Sequence, residues 1–85
     1  MAYRLCFKKS VAKDLKKIGR ENSRRILLAI REKLLPNPRA GKPLKGKDGV
    51  LWSFRVGDFR IIYTFSDKDL IVLVVRAGHR REIYR

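Results

Sequence analysis

The sequence predicts one two-layer α+β domain over residues 1–85, built as an N-terminal strand, a helical hairpin and a three-stranded antiparallel meander. Three observations carry that reading. A chain of 85 residues has room for one domain. Its apolar spacing runs at two, then near 3.6, then at two again. Breakers separate the periodic stretches, at Gly19, at Pro36 and Pro38, at Gly57-Asp58 and at Ser66-Asp67-Lys68-Asp69.

Tyr3, Leu5 and Phe7 alternate with Arg4, Cys6 and Lys8, which predicts a short strand with one apolar face. Ser10 is placed to cap the first helix, whose apolar positions are Val11, Leu15 and Ile18. Gly19 stops it. Asn22 or Ser23 can start a second helix, with Ile26, Leu27, Ile30 and Leu34 on one side and Pro36 and Pro38 ending it. Residues 36–50 read as a loop, with Leu44 as its anchor into the core. Trp52, Phe54 and Val56 share one face of a strand, and Phe59, Ile61, Tyr63 and Phe65 share one face of the next. Glycine first in the two-residue turn Gly57-Asp58 suits a type II′ hairpin. The nearly unbroken apolar run Leu70–Ala77 reads as a central strand covered on both faces.

Charge is the most unusual property. Lys and Arg number 22 against 8 Asp and Glu, a formal +14, which points to a polyanionic or acidic partner. One cysteine excludes an internal disulfide framework, and one histidine with one cysteine cannot make a zinc site. The first residues carry Arg4 and then Lys8-Lys9, unlike a signal peptide, and no stretch approaches the ~20 apolar residues of a membrane span. The expectation is a cytoplasmic protein with no membrane partner.

A two-residue hairpin dictates its own register. Val56 should face Phe59, Arg55 should face Arg60, and Ser53 should face Ile62. Two arginines directly opposite on one face repel each other, and an anion between them supplies the missing reason for the pair. If Ser66 faces Asp69 across the next turn, Ile62 faces Leu73 and Arg60 faces Val75. Arg80 then follows within a few residues, so Arg55, Arg60 and Arg80 can converge, with His79 and Tyr84 nearby.

Three guanidiniums around one point suit a phosphate, because the planar fork matches its oxygens and stays charged. Preorganised cations also stabilise the extra charge of a phosphodiester attacked by an adjacent 2′-OH. No carboxylate pair stands near to hold Mg²⁺, so the expected chemistry uses no metal or cofactor, and the substrate is RNA. Tyr84 and His79 are the candidate general bases.

Residues Leu44-Lys45-Gly46, the run from Trp52 to Tyr63 and the run from Val74 to Tyr84 resemble the RelE/ParE superfamily of toxins from toxin–antitoxin pairs. The resemblance covers essentially the whole chain. It implies a RelE-like fold and a ribosome-dependent mRNA interferase that cuts the codon in the A site, leaving a 2′,3′-cyclic phosphate and a 5′-hydroxyl. It also implies a RelB-like antitoxin with an acidic segment that wraps the fold, and contact with operator DNA only through that antitoxin. The family's catalytic set falls on Arg55, Arg60, Arg80 and Tyr84. Relatives carry lysine at the positions of Ser53 and Arg55, so His79 or Tyr84 takes over as base. The ParE branch instead poisons DNA gyrase and needs no such set, and a non-catalytic RNA-binding module is a further alternative. Lys13, Lys17, Arg24, Arg25, Lys45 and Lys47 read as contacts to ribosomal RNA backbone, against the plainer reading of a solvated face.

Overall fold

The structure, a computed structural model, describes residues 3–44 and 51–83. Strand β1 (Arg4–Phe7) leads into α1 (Lys9–Ile18) and α2 (Arg20–Ala29), which continues as one π-type turn over Ile30–Leu34. A short 3₁₀ turn (Pro38–Ala40) and a two-residue strand β2 (Lys42–Pro43) follow. The meander is β3 (Trp52–Val56), β4 (Phe59–Ser66) and β5 (Ile71–His79), closed by one helical turn, α3 (Arg80–Ile83). The strands form one sheet in the order β1-β5-β4-β3-β2, with β1 parallel to β5 and the other pairs antiparallel. The predicted α+β layout holds, and the segment read as loop contributes a fifth, edge strand.

Both helices pack on one face of the sheet. Val11, Ile26, Ile30 and Leu34 meet Ile61, Tyr63, Val72, Val74 and Ala77 in the core, with Trp52, Phe54, Val56, Phe59 and Phe65 at its margin. Strand β5 lies between β1 and β4, and its helix-side residues Val72, Val74 and Ala77 are buried, while Ile71, Leu73 and Val75 on or near the other face are half-buried. With helices on one face only, a nearly continuous apolar strand is left partly open on the other. The helix starts also differ from expectation. Lys8 precedes α1 without a side-chain cap, and Ser10 lies inside its first turn. Gly19, in the left-handed region at φ 101°, joins α1 to α2 directly, so α2 starts at Arg20. Ser23 is thus inside α2, where its hydroxyl donates to the Leu15 carbonyl (2.7 Å) and ties the hairpin together.

The loop between the helices and β3 is anchored by Tyr63 rather than by Leu44, which is half-buried and outside the core. The Tyr63 hydroxyl donates to the Pro38 carbonyl (2.6 Å) and accepts from the Gly41 amide (3.2 Å). A Cβ at Gly41 would collide with Tyr63 Oη and the Ser53 carbonyl, so this crossing requires glycine.

The register of β3 on β4 is the one expected: Val56 opposite Phe59, Arg55 opposite Arg60, Ser53 opposite Ile62. Gly57 alone in the turn has positive φ (60°), as a type II′ turn requires. The register of β4 on β5 is not. Ser66 pairs with Ile71, because the turn takes four residues, Asp67 to Leu70, with Leu70 in the left-handed region (φ 54°). A bulge then intervenes, since Tyr63 pairs with Val74 while Ile62 pairs with Arg76. Arg60 consequently lies opposite Gly78, not Val75, and Ile62 opposite Arg76, not Leu73.

Candidate active site

The hairpin turn Gly57-Asp58 gathers three of the candidate arginines. Arg55 and Arg60 stand opposite each other on the sheet face away from the helices. Arg55 is exposed, and its Nε donates to the Gly57 carbonyl (3.0 Å), which draws the guanidinium back over the turn. Arg60 is half-buried with its Nε enclosed by protein. Its directly opposed residue on β5 is Gly78, which has no side chain. The backbone amide of Arg80 donates to the Asp58 carbonyl (2.9 Å), which fastens the start of α3 to the same turn. The bulge and the longer turn therefore bring Arg80 closer to the hairpin than the expected register did. This face is not a plain solvated sheet, since Ser53, Ile62 and Gly78 on it are buried.

His79 goes the other way. It pairs with Phe59, so alternation puts it on the helix side of the sheet, and the two rings meet edge to face at 5.8 Å. Its Nδ1 accepts from the Arg81 amide (3.2 Å), which leaves the proton of the neutral ring on Nε2. His79 lines a polar hollow of about 370 Å³ with Asp14, Lys17, Phe59 and Ile83. There Asp14 accepts from the Ala77 amide (3.1 Å) and covers the edge of β5 beyond the end of β1. Tyr84, Lys45 and Lys47 lie outside the described residues.

The basic helical residues do not act as one face. Lys13 is exposed on α1, and Lys17 borders the His79 hollow. Arg24 borders a groove of about 840 Å³ between β1 and the helical hairpin. The groove floor includes Leu5, Phe7, Leu15 and Leu27, with Phe7 41% and Leu28 54% exposed, and Lys16, Arg20 and Arg31 share its rim. Arg25 turns instead to the hairpin, where its Nη2 comes 3.8 Å from the place a Cβ would occupy on Gly57. No spacing rule links Arg25 to Gly57, because the two meet only through the packing of α2 on β3.

Residues 5–84 match the model of the ParE toxin of type II toxin–antitoxin systems. The chain belongs to the RelE/ParE family of toxins. Toxin RelG of Mycobacterium tuberculosis is 34% identical over all of this chain and 99% of its own length. The RelBE2 toxin–antitoxin complex of Mycobacterium tuberculosis superposes with a TM-score of 0.86 at 27% identity, covering 94% of this chain and 93% of that one. The archaeal RelE–RelB complex of Pyrococcus horikoshii gives a TM-score of 0.75 at 29% identity, covering 94% and 97%. As a RelE/ParE toxin the chain thus has the RelE fold from β1 to α3. No helix among its described residues is long and apolar enough to cross a membrane.

Proposed function

We propose that this toxin is a ribosome-dependent endoribonuclease that cleaves mRNA in the A site and so halts translation in the cytoplasm. The observation that carries the reading is the Arg55–Arg60 pair, directly opposed on one sheet face, with Arg80 fastened to the turn between their strands. In this reading the guanidiniums hold the scissile phosphate and stabilise the charge that builds on its oxygens. The neighbouring 2′-oxygen gives up its proton to a base and attacks phosphorus. The bond to the 5′-oxygen breaks, and that oxygen takes a proton from water and leaves as a hydroxyl, giving a 2′,3′-cyclic phosphate. Arg80 stabilises the departing oxygen. His79 packs on Phe59 on the helix side, which favours Tyr84 as the base. The reaction needs no cofactor. Mapping of mRNA ends by primer extension after induction tests the proposal. Wild type should leave codon-phased cuts that Arg60→Ala and Arg80→Ala do not, and equal cutting by the variants, or none by wild type, overturns it.

The partner in this reading is a RelB-like antitoxin with an acidic segment, with operator DNA reached only through it. Two of the solved relatives are toxin–antitoxin complexes, RelBE2 and RelE–RelB, and the groove beside β1 offers an apolar floor with a cationic rim, the complement of an amphipathic acidic segment. A second reading, inhibition of DNA gyrase, is favoured by the matched family model, which is that of ParE. A supercoiling assay with purified gyrase separates the two.

A further inference from the structure

We propose that Arg25, with Arg55, forms a second phosphate position at the Gly57-Asp58 turn, so that Arg55 stands between the scissile phosphate and the adjacent phosphate of the same RNA strand. The proposal rests on the reading of this chain as an RNA-binding toxin and gives Arg25 a place at the active site rather than on a ribosome-docking face.

The two arginines reach the turn from different layers. Arg55 belongs to the sheet face away from the helices and folds back so that its Nε meets the Gly57 carbonyl at 3.0 Å. That bond occupies Nε–H, and the two terminal nitrogens are the fork suited to a phosphate. Arg25 descends from α2, on the helix layer, and its Nη2 lies 3.8 Å from the position a Cβ would take on Gly57. A hairpin turn stands at the end of a sheet, so side chains of both layers can meet around it. Glycine at 57 is required by the positive φ of the turn (60°), and the Arg25 guanidinium lies beside it at ordinary contact distance.

Two cations drawn to one turn repel unless an anion joins them. Among the described residues neither Arg25 nor Arg55 has a carboxylate within ion-pairing distance, although Asp58 sits in the turn itself. Arg80 is fastened to the Asp58 carbonyl, so the same turn links the Arg25–Arg55 position to the Arg60–Arg80 site. A chain of phosphates, rather than a single one, fits this succession of cations.

Counterion release distinguishes a phosphate contact from a merely structural arginine. The probe is a short fluorescent 2′-O-methyl oligoribonucleotide, which binds but cannot be cut, titrated by anisotropy across a KCl series. Arg25→Ala and Arg55→Ala should each lower the log–log salt slope by about 0.7, one single-strand phosphate contact apiece, and weaken binding about tenfold at low salt. Arg25→Lys should keep the slope and lose part of the affinity, because the charge stays and the fork goes. Lys68→Ala, in the turn at the opposite end of the sheet, is the control. Arg25 is exposed, so its variants should melt with wild type. A slope for Arg25→Ala no lower than that for Lys68→Ala overturns the inference, even if wild type cuts mRNA. A lowered slope in a toxin that cuts nothing supports the phosphate position while the ribonuclease reading falls.

Discussion

The two ends of the sheet use arginine in opposite ways. At the end bearing the β4–β5 turn, Arg39 is fully engaged within the protein. Its Nη2 meets Asp67 Oδ2 at 2.6 Å and Nη1 meets Oδ1 at 3.3 Å, while its guanidinium lies 5.0 Å over the Phe65 ring. Tyr3 donates to the same carboxylate and packs edge to face on Phe65. At the other end, Arg25 and Arg55 bring their guanidiniums to the Gly57-Asp58 turn, where Asp58 is the single acid, and the backbones of Arg60 and Arg80 lie beside it. One end satisfies its cation internally and reads as a structural clasp. At the other, Arg25 and Arg55 have no carboxylate within ion-pairing distance among the described residues, which is why the proposed phosphate positions fall there. A net charge of +14 is thus not one property spread evenly over the surface.

The sharpest test of that contrast removes one arginine from each end. Arg60→Ala or Arg80→Ala should cut the rate of codon-phased cleavage on programmed ribosomes by about 10²-fold or more, the scale of losing one preorganised donor. Arg39→Ala should leave that rate near wild type. Equal losses at both ends would erase the distinction. A stability effect comes next. Tyr63→Phe removes the hydroxyl that bonds Pro38 and Gly41, at a cost of roughly 1–3 kcal/mol, or about 4–8 °C in melting temperature for each kcal/mol. Calorimetry of the variant measures it.

Smaller effects follow from pH. Burial raises the Tyr63 phenol above its ordinary value, only partly offset by the Gly41 amide. Its contribution to stability is therefore complete below the unfolded phenol's pKa of about 10 and is lost as pH rises beyond it. Urea midpoints should fall on the alkaline side for wild type and less for Tyr63→Phe. The Asp67 carboxyl is held below its usual range by the hydrogen bonds from Arg39 and then Tyr3. Its stabilisation is present above the unfolded carboxylate pKa and disappears as pH falls through the lower folded value. The group is exposed, so the change should be the smallest of the four and should fade in high salt. Asp67→Asn in an acid melting series tests this, and a large salt-insensitive loss would contradict the picture of a surface clasp.

Legibility from sequence tracked the length of the interaction along the chain. The β3–β4 register was readable because a two-residue turn leaves one way to pair Arg55 with Arg60. The β4–β5 register was not, because Leu70 adopts a left-handed conformation unusual for leucine and a bulge inserts Val75 without a partner. Those two departures carry Arg60 from Val75 to Gly78 and put His79 on the helix side beside Phe59. Ser10 and Asn22 were reasonable caps by residue type, but α1 and α2 meet at a single left-handed glycine.

Alternation, breakers and charge, all written in local sequence, were enough to set the α+β class, the helical hairpin, the apolar helix-side face and the excess of cations that calls for a polyanion. Local physics governs these, since period and turn chemistry act over a few residues. The parallel pairing of β1 with β5, the parting of Arg24 from Arg25 and the meeting of Arg25 and Arg55 at one turn were decided by the packing of two layers. Such contacts join residues far apart in the chain, whose spacing in sequence carries no trace of their distance in space.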